Sequence, residues 1–257
     1  MRMVDTHAHL HFKRCLEDLN SIVERFKSEG GKFILNVGIN VEDSKEALRV
    51  AKIFGYKVAV GVHPHDSKSA GENFIEELEN LASDPDVVAI GETGLDYFRD
   101  LSPRDVQRRV FISQIELAFR LKKPLVIHVR DAYEDVYAIL KDSDLPEPPG
   151  VIHAFSADLG WAERFVDLGF FLGIGGPLTY PKNESLREVV STIGPESILT
   201  ETDCPYLPPQ RFRGKRNEPS YVRYVIEEME RILKIDRGEI EKIIDENAMR
   251  IFKGVRG

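Results

Sequence analysis

The sequence predicts an α/β protein built as a single (β/α)₈ TIM barrel with an extra C-terminal helix. Three observations lead there. Short β-rich runs alternate with helix-like segments along the whole chain. There are eight such runs. The unusual polar residues gather where those runs end, which is where barrels carry their chemistry.

The elements follow in order. The first run, 3–8 (MVDTHA), precedes a helical stretch at 17–29. The second, 33–38 (FILNVG), is apolar through its middle, as strands covered on both faces are, and leads to 44–54. The third, 58–63, is followed by 74–82, and the fourth, 87–92 (VVAIGE), by the long segment 103–121. Then come 125–129 with 133–141, 151–155 with 159–168, 170–174 with 184–193, and 198–202 with 221–233. A last helix at 236–252 exceeds the eight that the barrel needs. An open doubly wound sheet would usually need a glycine-rich phosphate turn after its first strand, and here that turn reads HAHLHF. No linker composition interrupts 1–257, so one domain is expected; Pro146-Glu147-Pro148-Pro149 reads as a rigid loop before the next strand.

Composition narrows the function. The 257 residues suit one barrel, and a net charge of −8 excludes a globally basic protein that coats nucleic acid. Cys15 and Cys204 form no CxxC pattern, and Cys204 reads as a small buried hydrophobe. The start of the chain, MRMVDTHAHLHF, lacks the apolar run of a signal peptide, and no apolar stretch reaches membrane-spanning length. A cytoplasmic protein without a membrane partner is expected. Oligomeric state stays open, with a monomer the simpler expectation.

The strand ends read His7-Ala8-His9, His63-Pro64-His65, Glu92, His128, His153 and Asp203. Residues two apart on a strand share a face, so His7 and His9 point together, with Asp5 one layer deeper. Strands one and eight adjoin in a closed barrel, which brings His7, His9 and Asp203 to one point. Strands four to six are consecutive, which brings Glu92, His128 and His153 to a second. Imidazole nitrogens and carboxylate oxygens are good ligands for divalent cations. Bridging by Glu92 would hold two of them roughly 3.5–4 Å apart. A lone HxH or a lone strand-end histidine is weak, but four buried imidazoles and two carboxylates at one end would be costly without shared partners.

Other positions are candidates for substrate contact or support. Asp5 and Glu201 stand behind the ligands, where they could orient histidines. His63 is not needed to complete either metal and is expected to touch a phosphate or protonate a leaving group. Arg130 and the basic loop holding Arg211, Arg213, Lys215 and Arg216 are expected to bind phosphates; Tyr97, Phe98 and Arg99 are expected to pack within their loop, with stacking on or pairing with a nucleotide the alternative. Small residues at Asn36-Val37-Gly38 and Gly173-Ile174-Gly175-Gly176 are expected to leave room for substrate. No Walker motif, GxSxG elbow or Cys–His pattern is present.

These stretches resemble the TatD-like metal-dependent deoxyribonucleases, within the wider amidohydrolase-like barrels. The matching segments are VDTHAHLHF (4–12), VGVHPHD (60–66), AIGETGLDYF (89–98), PLVIHVRDA (124–132), GVIHAFS (150–156), GIGGPLTYPKN (173–183), LTETDCPYLPP (199–209) and RGKRNEP (213–219). The resemblance implies one metal on His7, His9, Glu92 and Asp203, and another on Glu92, His128 and His153. It also implies a 3′→5′ exonuclease acting on DNA as a transient substrate, with Mg²⁺; the imidazole ligands by themselves suit Mn²⁺, Zn²⁺ or Co²⁺. Asp203 and Glu92 would be the catalytic carboxylates, Asp203 also accepting a proton from the attacking water. The rival enzyme is a metal-dependent hydrolase of an ester, lactone, amide or acyl-tRNA bond, and the non-enzyme alternative is a metal-binding scaffold, which a missing ligand would betray. None is missing.

Overall fold

The computed structural model describes residues 3–252. Eight parallel strands run in ring order: β1 (Met3–Ala8), β2 (Gly31–Val37), β3 (Lys57–Val60), β4 (Val87–Asp96), β5 (Leu125–Arg130), β6 (Gly150–His153), β7 (Phe171–Ile174) and β8 (Ile198–Thr200). The helices between them are α1 (Lys13–Leu16), α2 (Leu19–Ser28), α3 (Val41–Phe54), α4 (Phe74–Ala82), α5 (Arg104–Leu121), α6 (Tyr133–Lys141), α7 (Leu159–Asp167), α8 (Glu184–Ile193) and α9 (Val222–Leu233). The additional helix, α10 (Arg237–Ile251), ties down β8: the Asn247 amide donates to the carbonyls of Pro195 and Ile198, both at 2.9 Å. The strands are rich in Val, Ile and Leu and almost wholly buried, as parallel strands covered by helices must be.

Local chemistry sets several helix ends. Asn40 caps α3 by accepting the Asp43 N–H at 2.9 Å, and Gly55 ends that helix at φ 73°, a conformation glycine adopts without steric cost. Asp158 caps α7 by accepting the Trp161 N–H at 3.1 Å.

Two strands differ most from the sequence expectation. β3 ends at Val60 rather than 63, because Gln114 from α5 takes over the backbone of Val62: its Oε1 accepts the N–H at 2.7 Å and its Nε2 donates to the carbonyl at 3.0 Å. β4 continues past Glu92 to Asp96, because Thr93 to Asp96 stay in register with Ile127 to Arg130 of β5.

The seam between β1 and β8 closes the barrel with little regular ladder. β8 has only three residues, and one bridge, Ala8 to Cys204, joins its extension to β1. Side chains supplement it. The Thr6 hydroxyl donates to the Thr200 carbonyl at 3.1 Å, and the Thr200 hydroxyl donates to the Val4 carbonyl at 2.9 Å. Above them the Asp203 N–H donates to His7 O, and the His9 N–H to Cys204 O, both at 2.8 Å. Asp5 lies buried across the seam, accepting from the Thr202 N–H at 2.9 Å, the Thr202 hydroxyl at 2.6 Å and the His7 N–H at 3.3 Å. Burial pushes its carboxyl up to about 8 despite those donors.

The hydroxyl bridges should be measurable. Thr200→Val keeps the shape of the side chain and removes its donor, leaving the Val4 carbonyl short of a partner. A loss of about 1–2 kcal/mol in unfolding free energy is expected from urea denaturation. A change near zero would show that the backbone alone holds the seam.

Candidate metal centre

Six strand ends deliver polar side chains to one point at the C-terminal mouth. Glu92 is at the centre, buried, with each carboxylate oxygen facing a different group. Oε2 lies 3.3 Å from His7 Nε2 and 3.8 Å from His9 Nε2. Oε1 lies 3.1 Å from His128 Nδ1, 3.4 Å from His63 Nε2 and 3.9 Å from His153 Nε2. Asp203 Oδ1 lies 3.3 Å from His9 Nε2 and 3.9 Å from both His7 Nε2 and His153 Nε2. The His7 and His153 rings stack at 3.4 Å.

Hydrogen bonds, and for His153 an ion pair, behind the rings decide which nitrogen faces the centre. His9 Nδ1 lies 2.7 Å from the Val37 carbonyl, which can only accept, so Nδ1 carries the proton and Nε2 points inward with its lone pair. His153 Nδ1 lies 2.9 Å from Glu201 Oε1, and His128 Nε2 lies 3.0 Å from Asp96 Oδ2. Those two rings therefore turn Nε2 and Nδ1 inward. His63 has the opposite arrangement. Its Nδ1 accepts the His65 N–H at 3.1 Å, which leaves Nε2 as the protonated nitrogen facing Glu92.

Burial and neighbours set the charges. Burial would raise Glu92, but His63, His7 and the His128 hydrogen bond outweigh it and hold the carboxyl well below the usual range. Burial also opposes ionisation of Asp203, and the His9 hydrogen bond with the neighbouring His153 and His7 again wins. His153 resists burial because Glu201 faces it, which raises its pKa to about 10. His7 is lowered by burial and by His153. His63 is lowered by burial to about 4, so it is neutral at physiological pH.

This donor set fits divalent cations. The inward nitrogens of His9, His128 and His153 and the carboxylates of Glu92 and Asp203 converge within a few ångströms, and a cation there would take the place of the protons on those nitrogens. The His7 and His9 Nε2 atoms face each other at 3.3 Å, where at most one proton can satisfy both. His7 Nδ1 is buried with no hydrogen-bond partner. By distance alone, three sets could each surround one ion: His7, His9 and Glu92; His7, His153 and Asp203; and His63, Glu92 and His128.

The structure thus draws together all six expected ligands, His7, His9, Glu92, His128, His153 and Asp203. His153 lies nearer to His7 and Asp203 than the sequence grouping had it. His63 sits within the cluster but offers it an N–H. Glu201 stands directly behind His153 and also accepts the Ala154 N–H at 2.7 Å. Asp5 reaches the ligands through the backbone of His7 and Thr202 instead of a ligand ring. Arg130 is exposed beside the mouth, its guanidinium 3.8 Å over the Phe98 ring. Arg213 stacks 4.7 Å over Tyr180, and Lys215 is exposed on the same loop.

Several expectations are corrected. Arg216 is not available as a phosphate contact: it pairs with both oxygens of Asp18 at 2.6 and 2.8 Å. Tyr97, by contrast, packs locally as expected, its hydroxyl donating to Asp135 at 2.7 Å. The small residues do not open space for substrate. Asn36 is buried, accepts the Leu10 N–H and donates to Ala47 O, both at 2.8 Å. A Cβ on Gly38 would lie 2.4 Å from Ser44 Oγ, and one on Gly173 would lie 2.3 Å from Glu201 Oε2. Gly173 therefore makes room for the carboxylate behind His153. The sequence reading missed Asp96, which accepts from His128 and, at 2.9 Å, from His65. The signal was available: Asp96 is four residues beyond Glu92, on the same face of any strand that continues.

Known proteins resemble this chain over nearly its whole length. The family described as TatD related DNase matches residues 4–253. The chain is 40% identical over 252 residues to the "Uncharacterized metal-dependent hydrolase YabD" of Bacillus subtilis, covering 98% of this chain and 99% of that protein. It is 34% identical over 264 residues to the "3'-5' ssDNA/RNA exonuclease TatD" of Salmonella typhimurium, covering 98% and 100%. The crystal structure of YjjV, a TatD homologue from Escherichia coli K12, superposes with a TM-score of 0.93 at 30% identity, covering 97% of each chain. With the family matched from end to end over a centre of this composition, the chain belongs to the TatD related DNase family of metal-dependent hydrolases.

Proposed function

We propose that the protein is a two-metal phosphodiesterase, acting as a 3′→5′ exonuclease on single-stranded DNA ends. The observation that carries this reading is Glu92, a buried carboxylate with one oxygen toward His7 and His9 and the other toward His128 and His153. That is the arrangement of a bridge between two cations. His7, His9, Glu92 and Asp203 would hold one, and Glu92, His128 and His153 the other. Cations so held would make water a stronger nucleophile and neutralise charge on the phosphate. Mg²⁺ fits the family resemblance, and Mn²⁺, Zn²⁺ or Co²⁺ the nitrogen-rich donor set.

The chain's own groups would do the rest. Asp203, ionised at the rim of the cluster, accepts the proton of the attacking water. Glu201 holds His153 in the tautomer that turns Nε2 inward. His63, neutral and with Nε2–H aimed into the site, donates a hydrogen bond to a phosphate oxygen instead of supplying a full proton. Arg130, Arg213 and Lys215 attract the flanking phosphates, a role suited to a few cations on a chain of net charge −8. The exonuclease named in Salmonella, similar over the full length of both chains, supports a nucleic-acid substrate.

Four substitutions test the assignment. Glu92→Gln removes the bridging charge, so metal content by elemental analysis and turnover of a labelled oligonucleotide should both collapse; a variant holding two metals at near-normal turnover would defeat the bridge. Asp203→Asn should lower kcat by roughly 10²–10⁴ and stay slow in excess metal, whereas Glu201→Gln should cost about 10–100-fold. Full rescue of Asp203→Asn by metal would leave that carboxylate a coordinating role only. Arg213→Ala should raise KM for the oligonucleotide and flatten its salt dependence, with a smaller change in kcat; an unmoved salt slope would take Arg213 off the phosphate path.

A further inference from the structure

Two exposed aromatic rings stand across the mouth from each other. Phe98 follows β4 and is 58% exposed; Tyr206 follows β8 and is 47% exposed. In an eight-strand ring, strands four and eight are four places apart, so these rings flank the donor cluster from opposite sides. A scattered surface aromatic needs no explanation. These two are different, because each is anchored to a residue of the site, Phe98 through the Asp96 carboxylate and Tyr206 through the Asp203 backbone carbonyl.

The anchors are explicit. The N–H groups of Phe98 and Arg99 donate to Asp96 Oδ1 at 3.1 and 2.7 Å, while Asp96 Oδ2 holds His128 at 3.0 Å. One carboxylate therefore sets both the orientation of His128 and the position of the Phe98 loop. Arg130 lies 3.8 Å over the Phe98 ring and brings its charge to the same spot. On the far side, the Tyr206 N–H donates to the Asp203 carbonyl at 2.8 Å, and the Asn217 amide donates to Tyr206 O at 2.7 Å. The Tyr206 ring meets Phe12 edge-on at 6.2 Å, and Phe12 stacks on His9 at 4.6 Å.

We infer that Phe98 with Arg130, and Tyr206 with Phe12, are two base-stacking platforms that hold the nucleobases on either side of the scissile phosphate. The inference rests on the phosphodiesterase reading above and adds to it how single strands are selected. Every nucleobase offers a flat face, so such platforms tolerate sequence. In a duplex those faces are occupied by neighbouring bases. A paired end must therefore unstack before it can use the platforms, and an unpaired end can use them at once. Arg130 adds a charge beside the stacked base, where the adjoining phosphate lies.

The test compares kcat/KM for a short single-stranded oligodeoxynucleotide with that for bis(p-nitrophenyl) phosphate, a diester without a base. In Phe98→Ala and in Tyr206→Ala the ratio of the two should fall about 10-fold each, and by the product in the double variant. Phe98→Tyr and Tyr206→Phe keep a ring and should restore it. An oligonucleotide with an abasic 3′-terminal residue should lose about as much with the unsubstituted enzyme as one alanine variant loses with the intact strand. It should lose little more in that variant, which identifies the platform for the terminal base. Ratios that stay flat in both alanine variants, in an enzyme that cleaves the oligonucleotide, would overturn the platforms alone. An enzyme that hydrolyses the small diester and leaves the oligonucleotide intact would overturn them together with the nucleic-acid reading.

Discussion

A buried carboxylate is tolerated only where neighbouring charge or hydrogen bonds answer it, and Glu92 is the group on which this site depends. Imidazoles from β1, β5, β6 and the turn after β3 surround it, and none of their rings is held by Glu92 alone. Val37 O fixes His9, Asp96 fixes His128, Glu201 fixes His153, and the His65 N–H fixes His63. Four of the five rings are thus oriented from outside the cluster, and His7 Nδ1 has no hydrogen-bond partner. His9, His128 and His153 each turn inward the nitrogen that no group behind the ring holds, whereas His63 turns an N–H inward.

The barrel seam and the site are one construction. The C-terminal ends of β1 and β8 meet where the ladder is weakest, and the seam is held by the hydroxyls of Thr6 and Thr200 and by the donors that converge on Asp5. Asp203 uses its own N–H on His7 O, which brings its carboxylate to the His7–His9 pair. Gly173 completes the arrangement from β7, since any side chain there would displace Glu201. Asp96 couples the cluster to the outside, because the carboxylate that orients His128 also positions the loop bearing the exposed Phe98.

The sequence by itself determined the order of eight strands, the extra helix and the six strand-end residues that converge. Those features are local: parallel strands covered on both faces read as short apolar runs, and a polar residue at the end of such a run needs a partner. His7 and His9 could be placed on one face by strand period alone. The tertiary structure decided the rest, because the deciding atoms come from distant parts of the chain. Whether His63 offers a lone pair or a proton depends on a backbone N–H two residues away in a turn. The length of β4, and with it the role of Asp96, depends on pairing with β5. Whether Asn36, Gly38 and Gly173 make space for substrate or for protein depends on Leu10, Ser44 and Glu201, and Arg216 is taken by Asp18, 198 residues away in the chain. Sequence shows which chemical groups are present near the mouth; packing decides which partner each group meets, and that choice sets its proton and its direction.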